Sequence, residues 1–210
     1  MFAFFRFVFI ALTLSVSFHV CSQPSAVASA HPLATAAGID ILKKGGNAFD
    51  AAIAVTATLA VVEPYSSGIG GGGFWLLHIK QDNRDVMIDG RERAPLAASR
   101  NMYLDENKNV IPGASIDGPL SAGIPGVPAA LEHLALNYGK LPLTVTLEAA
   151  IKHAKSGYKT DVHYQRMAAF REKALNESTD AAKIFLKNGK SPAPGTLIIQ
   201  PDLADTLSII

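Results

Sequence analysis

Residues 48–62, AFDAAIAVTATLAVV, constrain this chain more than any other stretch. Apart from Asp50, Thr56 and Thr58 the segment is apolar nearly all round, and many of its side chains are alanine. A helix of that kind has no face for water, so it is expected inside the fold with neighbours packed closely around it. Asn47 can cap it, Asp50 stands at its third position, and Glu63-Pro64 ends it. The rest of the chain must supply the cover. A length of 210 residues is enough for one core or a little more. Hydrophobic residues at 49% against charged residues at 18% mark a globular chain, not a disordered one. The net charge is +1 and there is no basic run, which argues against a nucleic-acid partner.

The first residues, MFAFFRFVFIALTLSVSFHV, follow a different logic. One positive charge, Arg6, precedes an apolar stretch from Phe7 to Phe18. That stretch falls short of the roughly 20 residues of a comfortable membrane span. Small residues allow cleavage after Ser22, so residues 1–22 read as a signal peptide and residues 23–210 as the exported, mature part. An uncleaved anchor is the plainer alternative. A lipoprotein at Cys21 is disfavoured, because Phe18-His19-Val20 lacks the small residues that lipid attachment prefers. The expectations are a periplasmic or extracellular location and no stable membrane span. Cleavage would also remove Cys21, the sole cysteine, leaving neither a disulfide nor a thiol nucleophile.

Around the buried helix the periodicities set out a mixed α/β (α+β) chain. Residues 25–29 read as a short strand. Pro32 opens a helix in which Leu33, Ala37 and Ile41 recur at one face, stopped by Gly45-Gly46. Residues 74–79 and 86–89 read as a hairpin turning at Asp82-Asn83. A polar loop follows at 105–109, then a Gly- and Pro-rich stretch over 112–128. Val127, Leu131, Leu134 and Tyr138 line a helix that Gly139 stops, and Thr144 is placed to cap the next, which runs to Ser156. A single polar helix is expected over 160–176, another over 180–186, a strand over 196–199, and a helical pattern from Asp202.

Between the buried helix and the hairpin lies Ser66-Ser67-Gly68-Ile69-Gly70-Gly71-Gly72-Gly73. It matches G-x-G-x-x-G, but a dinucleotide site needs a strand before it and a helix after it. Here the order is reversed. The run therefore reads as a tight turn permitting close backbone approach, beside a ligand pocket or not. Gly189-Lys190-Ser191 lacks the earlier glycine of a phosphate loop, since Ile184 stands there. No histidine pair has metal-ligand spacing, so no metal is expected. There is no G-x-S-x-G elbow. Asn176-Glu177-Ser178 is a glycosylation sequon, relevant only in a eukaryotic secretory route. Arg91 leaves the second hairpin strand beside Glu92. A guanidinium can fork onto a carboxylate with two parallel hydrogen bonds, so Arg91 could orient a free α-carboxylate. A surface arginine, or one paired internally with Asp89 or Glu92, fits the same pattern.

AVASAHPLATAAGIDILKKGGNAFDAAIA (26–54), VVEPYSSGIGGGGF (61–74), DGRERAPLAASRNMYLD (89–105), LSAGIPGVPAALEHLALNYGKLPL (120–143) and AIKHAKSGY (150–158) together resemble the large subunit of the γ-glutamyltranspeptidase (glutathione hydrolase) family. The likeness is weakest after Tyr158. It implies a four-layer αββα sandwich of the N-terminal-nucleophile (Ntn) hydrolase kind, of which this chain supplies only part. It implies an exported proenzyme that cuts itself into large and small subunits. The small subunit's new N-terminal threonine would be the nucleophile, its own amine serving as base. The substrate would be glutathione or another γ-glutamyl compound, and the acceptor water or an amino acid, with no cofactor. Arg91 matches the arginine that grips the substrate's α-carboxylate, with Asp89 and Glu92 shaping its surroundings. The glycines at 70–73 are scaffold beneath the site.

The same resemblance marks what is missing. The threonines at 144, 146, 160, 179, 196 and 206 do not match the nucleophile's segment, and no oxyanion-hole glycines have a counterpart. The chain is expected to be a truncated front portion that needs a C-terminal small subunit and is inactive alone. The rival readings are a related acylase cleaving another amide and a non-catalytic truncated pseudo-subunit.

Overall fold

A computed structural model describes residues 25–210. The expected signal segment at 1–22 lies outside them. Helix α1 (Pro32–Lys43) starts where His31 turns its ring nitrogen Nδ1 back to accept the N–H of Leu33 at 3.1 Å. Helix α2 (Ala48–Val62) is the central element. Ile53, Ala54, Ala57 and Val61 in it are wholly buried, and α1 (Pro32–Lys43), α3 (Val127–Tyr138) and α4 (Leu143–Ser156) pack around it. Small side chains on α2 let the neighbouring backbones come close, as the composition requires.

Asp50 does more than sit in the first turn of α2. Its carboxylate is fully buried and accepts the backbone N–H groups of Asn47 at 2.8 Å, Lys140 at 3.0 Å and Leu141 at 3.3 Å. The Asn47 amide donates to the Tyr138 carbonyl at 2.6 Å. A capping box therefore doubles as a latch across the end of α3. Asp50→Ala leaves those N–H groups without an acceptor, and stability is expected to fall by about 3 kcal/mol. Urea unfolding followed by circular dichroism checks this, and an unchanged midpoint would rule the latch out as a stabilising feature.

Strands β1 (Phe74–Ile79) and β2 (Arg84–Asp89) form an antiparallel hairpin with Phe74 opposite Asp89 and Leu76 opposite Met87. Trp75, Leu77, Val86 and Ile88 face the core, and Phe74, Leu76 and Met87 face outward and are exposed. A long irregular stretch with one 3-10 turn (Pro119–Ser121) leads to α3 and α4. Then come β3 (Tyr158–Lys159), α5 (Val162–Phe170), α6 (Glu172–Asn176), α7 (Thr179–Phe185), β4 (Leu197–Ile198) and α8 (Pro201–Ile209). Gln200 donates from its side chain to Val61 at 2.8 Å, tying the start of α8 to the end of α2.

Mixed helix and strand is what forms. Among the described residues the strands make two separate two-stranded antiparallel sheets. Several local expectations are corrected. Residues 25–29 are not a strand, because Val27 inserts its side chain against Gly38 on α1 and packs with Ala37 and Ile41. Thr144 does not cap α4, since the Pro142 carbonyl already takes the N–H of Val145 at 2.9 Å and that of Thr146 at 3.3 Å. The helix over 160–176 is two. Thr160 is drawn out of it by bonds with Thr196 and Ala193, Asp161 caps α5, and the backbone breaks at Arg171. The strand expected over 196–199 is the two-residue β4, paired with a β3 that the pattern did not show.

Candidate functional site

The β1–β2 hairpin ends in a pinned segment. Gly73 and Gly90 exchange two backbone hydrogen bonds of 3.2 and 3.0 Å, extending the ladder one pair beyond Asp89. Arg93 and Ile124 exchange two more, of 3.0 and 2.7 Å. Arg91 and Glu92 stand between these anchors, so their backbone is held from both ends. The Arg91 N–H donates to Asp89 Oδ1 at 3.0 Å. One guanidinium nitrogen lies 3.5 Å from Glu92 Oε1, and the guanidinium carbon lies 6.0 Å from the centre of the Phe74 ring. The Arg91 side chain is 63% exposed. The Glu92 carboxyl is held below its ordinary range, first by its own backbone N–H and further by the Arg91 charge. That leaves a cation steered by one loose ion pair and an aromatic face, with most of its N–H donors open to a ligand carboxylate.

The three residues that the sequence placed here, Asp89, Arg91 and Glu92, do come together. Asp89 and Arg91 line an open groove of about 490 Å³ with Arg93, Ile124, Gly126 and His133. The glycine run borders a second hollow of about 450 Å³ together with Thr56, Ser66 and Trp75. A third, apolar hollow of about 330 Å³ lies among Tyr65, Tyr164, Met167 and Phe185 and shares no lining residue with the Arg91 groove. Phe74 was not singled out from the sequence. The signal was present in the alternation of the hairpin, which places position 74 across from position 89, two residues before the arginine.

The other candidates have structural employment. The Thr146 hydroxyl donates to Leu143, those of Thr160 and Thr196 to Ala193, and that of Thr206 to Asp202. The Asn176 amide donates to the carbonyls of Glu172 at 2.8 Å and Gly189 at 2.9 Å, which occupies the nitrogen that a sugar would need. His78 pairs with Asp85 at 2.8 Å on the hairpin surface, and His133 leans on Asn137. Among the described residues no three His, Cys, Asp or Glu side chains are grouped as metal ligands would be. Nor is any helix among them long and apolar enough to cross a membrane.

Known proteins resemble the chain as a whole. The family model described as Gamma-glutamyltranspeptidase matches residues 34–210. A glutathione hydrolase proenzyme of Bacillus subtilis (strain 168) is 40% identical over 186 residues, which cover 88% of this chain and 31% of that protein. The glutathione hydrolase proenzyme of Escherichia coli (strain K12) is 37% identical over 195 residues, 92% of this chain and 33% of that one. The chain thus spans about a third of the length of these curated relatives. Among solved structures, Helicobacter pylori gamma-glutamyltranspeptidase superposes with a TM-score of 0.85 at 38% identity, over 89% of this chain and 53% of that one. A cephalosporin acylase from Bacillus halodurans superposes at 0.72 and 30% identity, over 90% of this chain and 38% of that one.

Proposed function

The chain belongs to the γ-glutamyltranspeptidase family, and we propose that it is the substrate-gripping front part of a glutathione hydrolase proenzyme. Its Arg91 binds the α-carboxylate of a γ-glutamyl compound while a threonine elsewhere in the complete protein attacks. The observation that carries this reading is the exposed Arg91 guanidinium on a backbone pinned at both ends, inside a chain that matches the family from residue 34 to residue 210. The partner is a small subunit released by self-cleavage. Its N-terminal threonine hydroxyl adds to the γ-carbonyl carbon and passes its proton to the threonine's own amine. The C–N bond breaks, the departing amine takes that proton, and a γ-glutamyl ester remains. Water then releases glutamate, or an amino acid takes the acyl group. Glutathione is the leading substrate, and none of these steps calls for a cofactor.

Residues 1–22 direct export to the periplasm or the extracellular space and are removed after Ser22, so the mature protein begins at Gln23. The complete protein that carries this segment is therefore expected to release the chromogenic amine from a γ-glutamyl anilide, and N-terminal sequencing of the secreted form should read Gln23 first. A second reading rests on the likeness to the Bacillus halodurans cephalosporin acylase. Arg91 selects a free carboxylate but not the rest of the molecule. Turnover of a β-lactam side-chain amide with no release from the γ-glutamyl anilide would favour that reading and sink the first.

A further inference from the structure

The backbone that carries Arg91 meets two other backbone segments at close range. Gly71 accepts the N–H of Gly126 at 2.9 Å and that of Val127 at 3.2 Å, which joins the glycine run to the start of α3. Both of these segments also press on residues 90–92. A Cβ added at Gly72 would stand 2.5 Å from the Glu92 nitrogen and 2.6 Å from Arg91 Cα. A Cβ added at Gly126 would stand 2.5 Å from the Arg91 carbonyl oxygen and 2.8 Å from the Gly90 carbonyl carbon. Non-bonded carbon contacts are comfortable at roughly 3.5–4.0 Å. At Gly72 the added Cβ would also meet Glu92 Oε2, a side-chain tip that can swing aside, but the other atoms met at both glycines are main chain, which cannot. Gly126 has φ −106, which other residues also adopt, so space and not backbone conformation demands glycine there.

We propose that Gly72 and Gly126 are positioning residues for Arg91. Through this three-segment junction they set where its guanidinium meets the α-carboxylate, and so set the enzyme's preference for substrates that carry one. The inference rests on the reading of Arg91 given above. It also explains why the glycine run lies next to an arginine some twenty positions later: the run supplies the surface on which residues 90–92 are seated, and need not touch the ligand itself. A forked guanidinium–carboxylate pair needs both of its hydrogen bonds near about 2.7–2.9 Å, so a shift of roughly 1 Å undoes the fork.

The test compares Gly72→Ala and Gly126→Ala with Arg91→Ala in the complete protein. Two probes are used, a γ-glutamyl anilide and its α-methyl ester, which lacks the carboxylate charge. Both glycine variants are expected to raise KM for the anilide roughly 10-fold or more, with kcat held within about threefold and turnover of the ester little changed. Equal losses on both probes, or a fall in kcat at constant KM, would make the glycines merely structural and overturn the inference. If Arg91→Ala itself leaves KM unchanged, the parent reading of Arg91 is what fails. If Arg91→Ala raises KM and the glycine variants do not, only the inference fails. Should neither alanine variant accumulate, Gly123→Ala decides. Its added methyl would lie 2.8 Å from Glu92 Cγ, which can turn aside, but also 3.0 Å from Glu92 Cβ and 3.2 Å from the Arg93 carbonyl oxygen, which the backbone fixes, so it presses on the same segment more mildly. A severalfold rise in anilide KM with ester turnover unchanged is expected there, and no rise would overturn the proposal.

Discussion

Arg91→Ala in the complete protein is expected to raise KM for a γ-glutamyl anilide roughly 10- to 100-fold while kcat changes little. Hydrogen bonds to charged groups contribute about 1.5–3 kcal/mol, and because Arg91 is solvent-exposed its forked guanidinium–carboxylate pair is taken at about that value in all. The contact is made to a part of the substrate that does not react, so it is worth the same before and during the chemical step. Such uniform binding appears in KM and not in kcat. Arg91→Lys keeps the charge and loses the fork, and should fall between wild type and alanine. The structural alternative makes a different forecast. The Arg91–Glu92 contact is 3.5 Å long between exposed side chains, at 63% and 38% exposure. Ion pairs of that kind contribute about 0–1 kcal/mol, so Arg91→Ala should barely move the melting temperature. A melting shift of several degrees with KM unchanged would show that Arg91 serves the fold instead.

What could be read from the sequence followed from patterns confined to one element. α2 was legible because no solvent-facing stripe exists along it, and the β1–β2 hairpin because its alternation and turn residues lie within sixteen positions, from Phe74 to Asp89. The β3–β4 pair was only half legible. Each strand has two residues, 158–159 and 197–198, far too few for a period, and they meet across a separation that only the tertiary packing of α4 and α8 closes. The double helix in place of one over 160–176 has the same origin, since Thr160 answers to Thr196 and Ala193 and not to its neighbours. At the site, the forked chemistry of Arg91 was readable from its residue type, but its role came from resemblance. At the glycine run close backbone approach was readable, but the segments it approaches, residues 90–92 and Gly126, were not. A glycine needed for space looks identical, in sequence, to one needed for a turn.

Residues 25–210 produced alone are expected to release no amine from a γ-glutamyl anilide and to associate. The absence of turnover follows from the chemistry. The hydroxyls of Thr146, Thr160, Thr196 and Thr206 are spent on main-chain carbonyls, and Arg91 can hold a carboxylate but cannot attack an amide. Association follows from the hairpin. Its outer face exposes Phe74 at 57%, Leu76 at 71% and Met87 at 57%, and each strand is paired only with the other among the described residues. An apolar face flanked by two open edges is a template for pairing with another chain. In the complete protein, on the reading proposed above, the remaining two-thirds would cover it. The cross-strand pair Leu76 and Met87 separates the two cases. Leu76→Lys with Met87→Glu makes the face polar and sets opposite charges across the ladder. The altered segment should scatter less light than the unaltered one, while the same pair of changes in the complete protein should abolish maturation, because two charges would then be buried. A monodisperse, unaltered segment that turns over the anilide would contradict both expectations, and would require a nucleophile among the residues described.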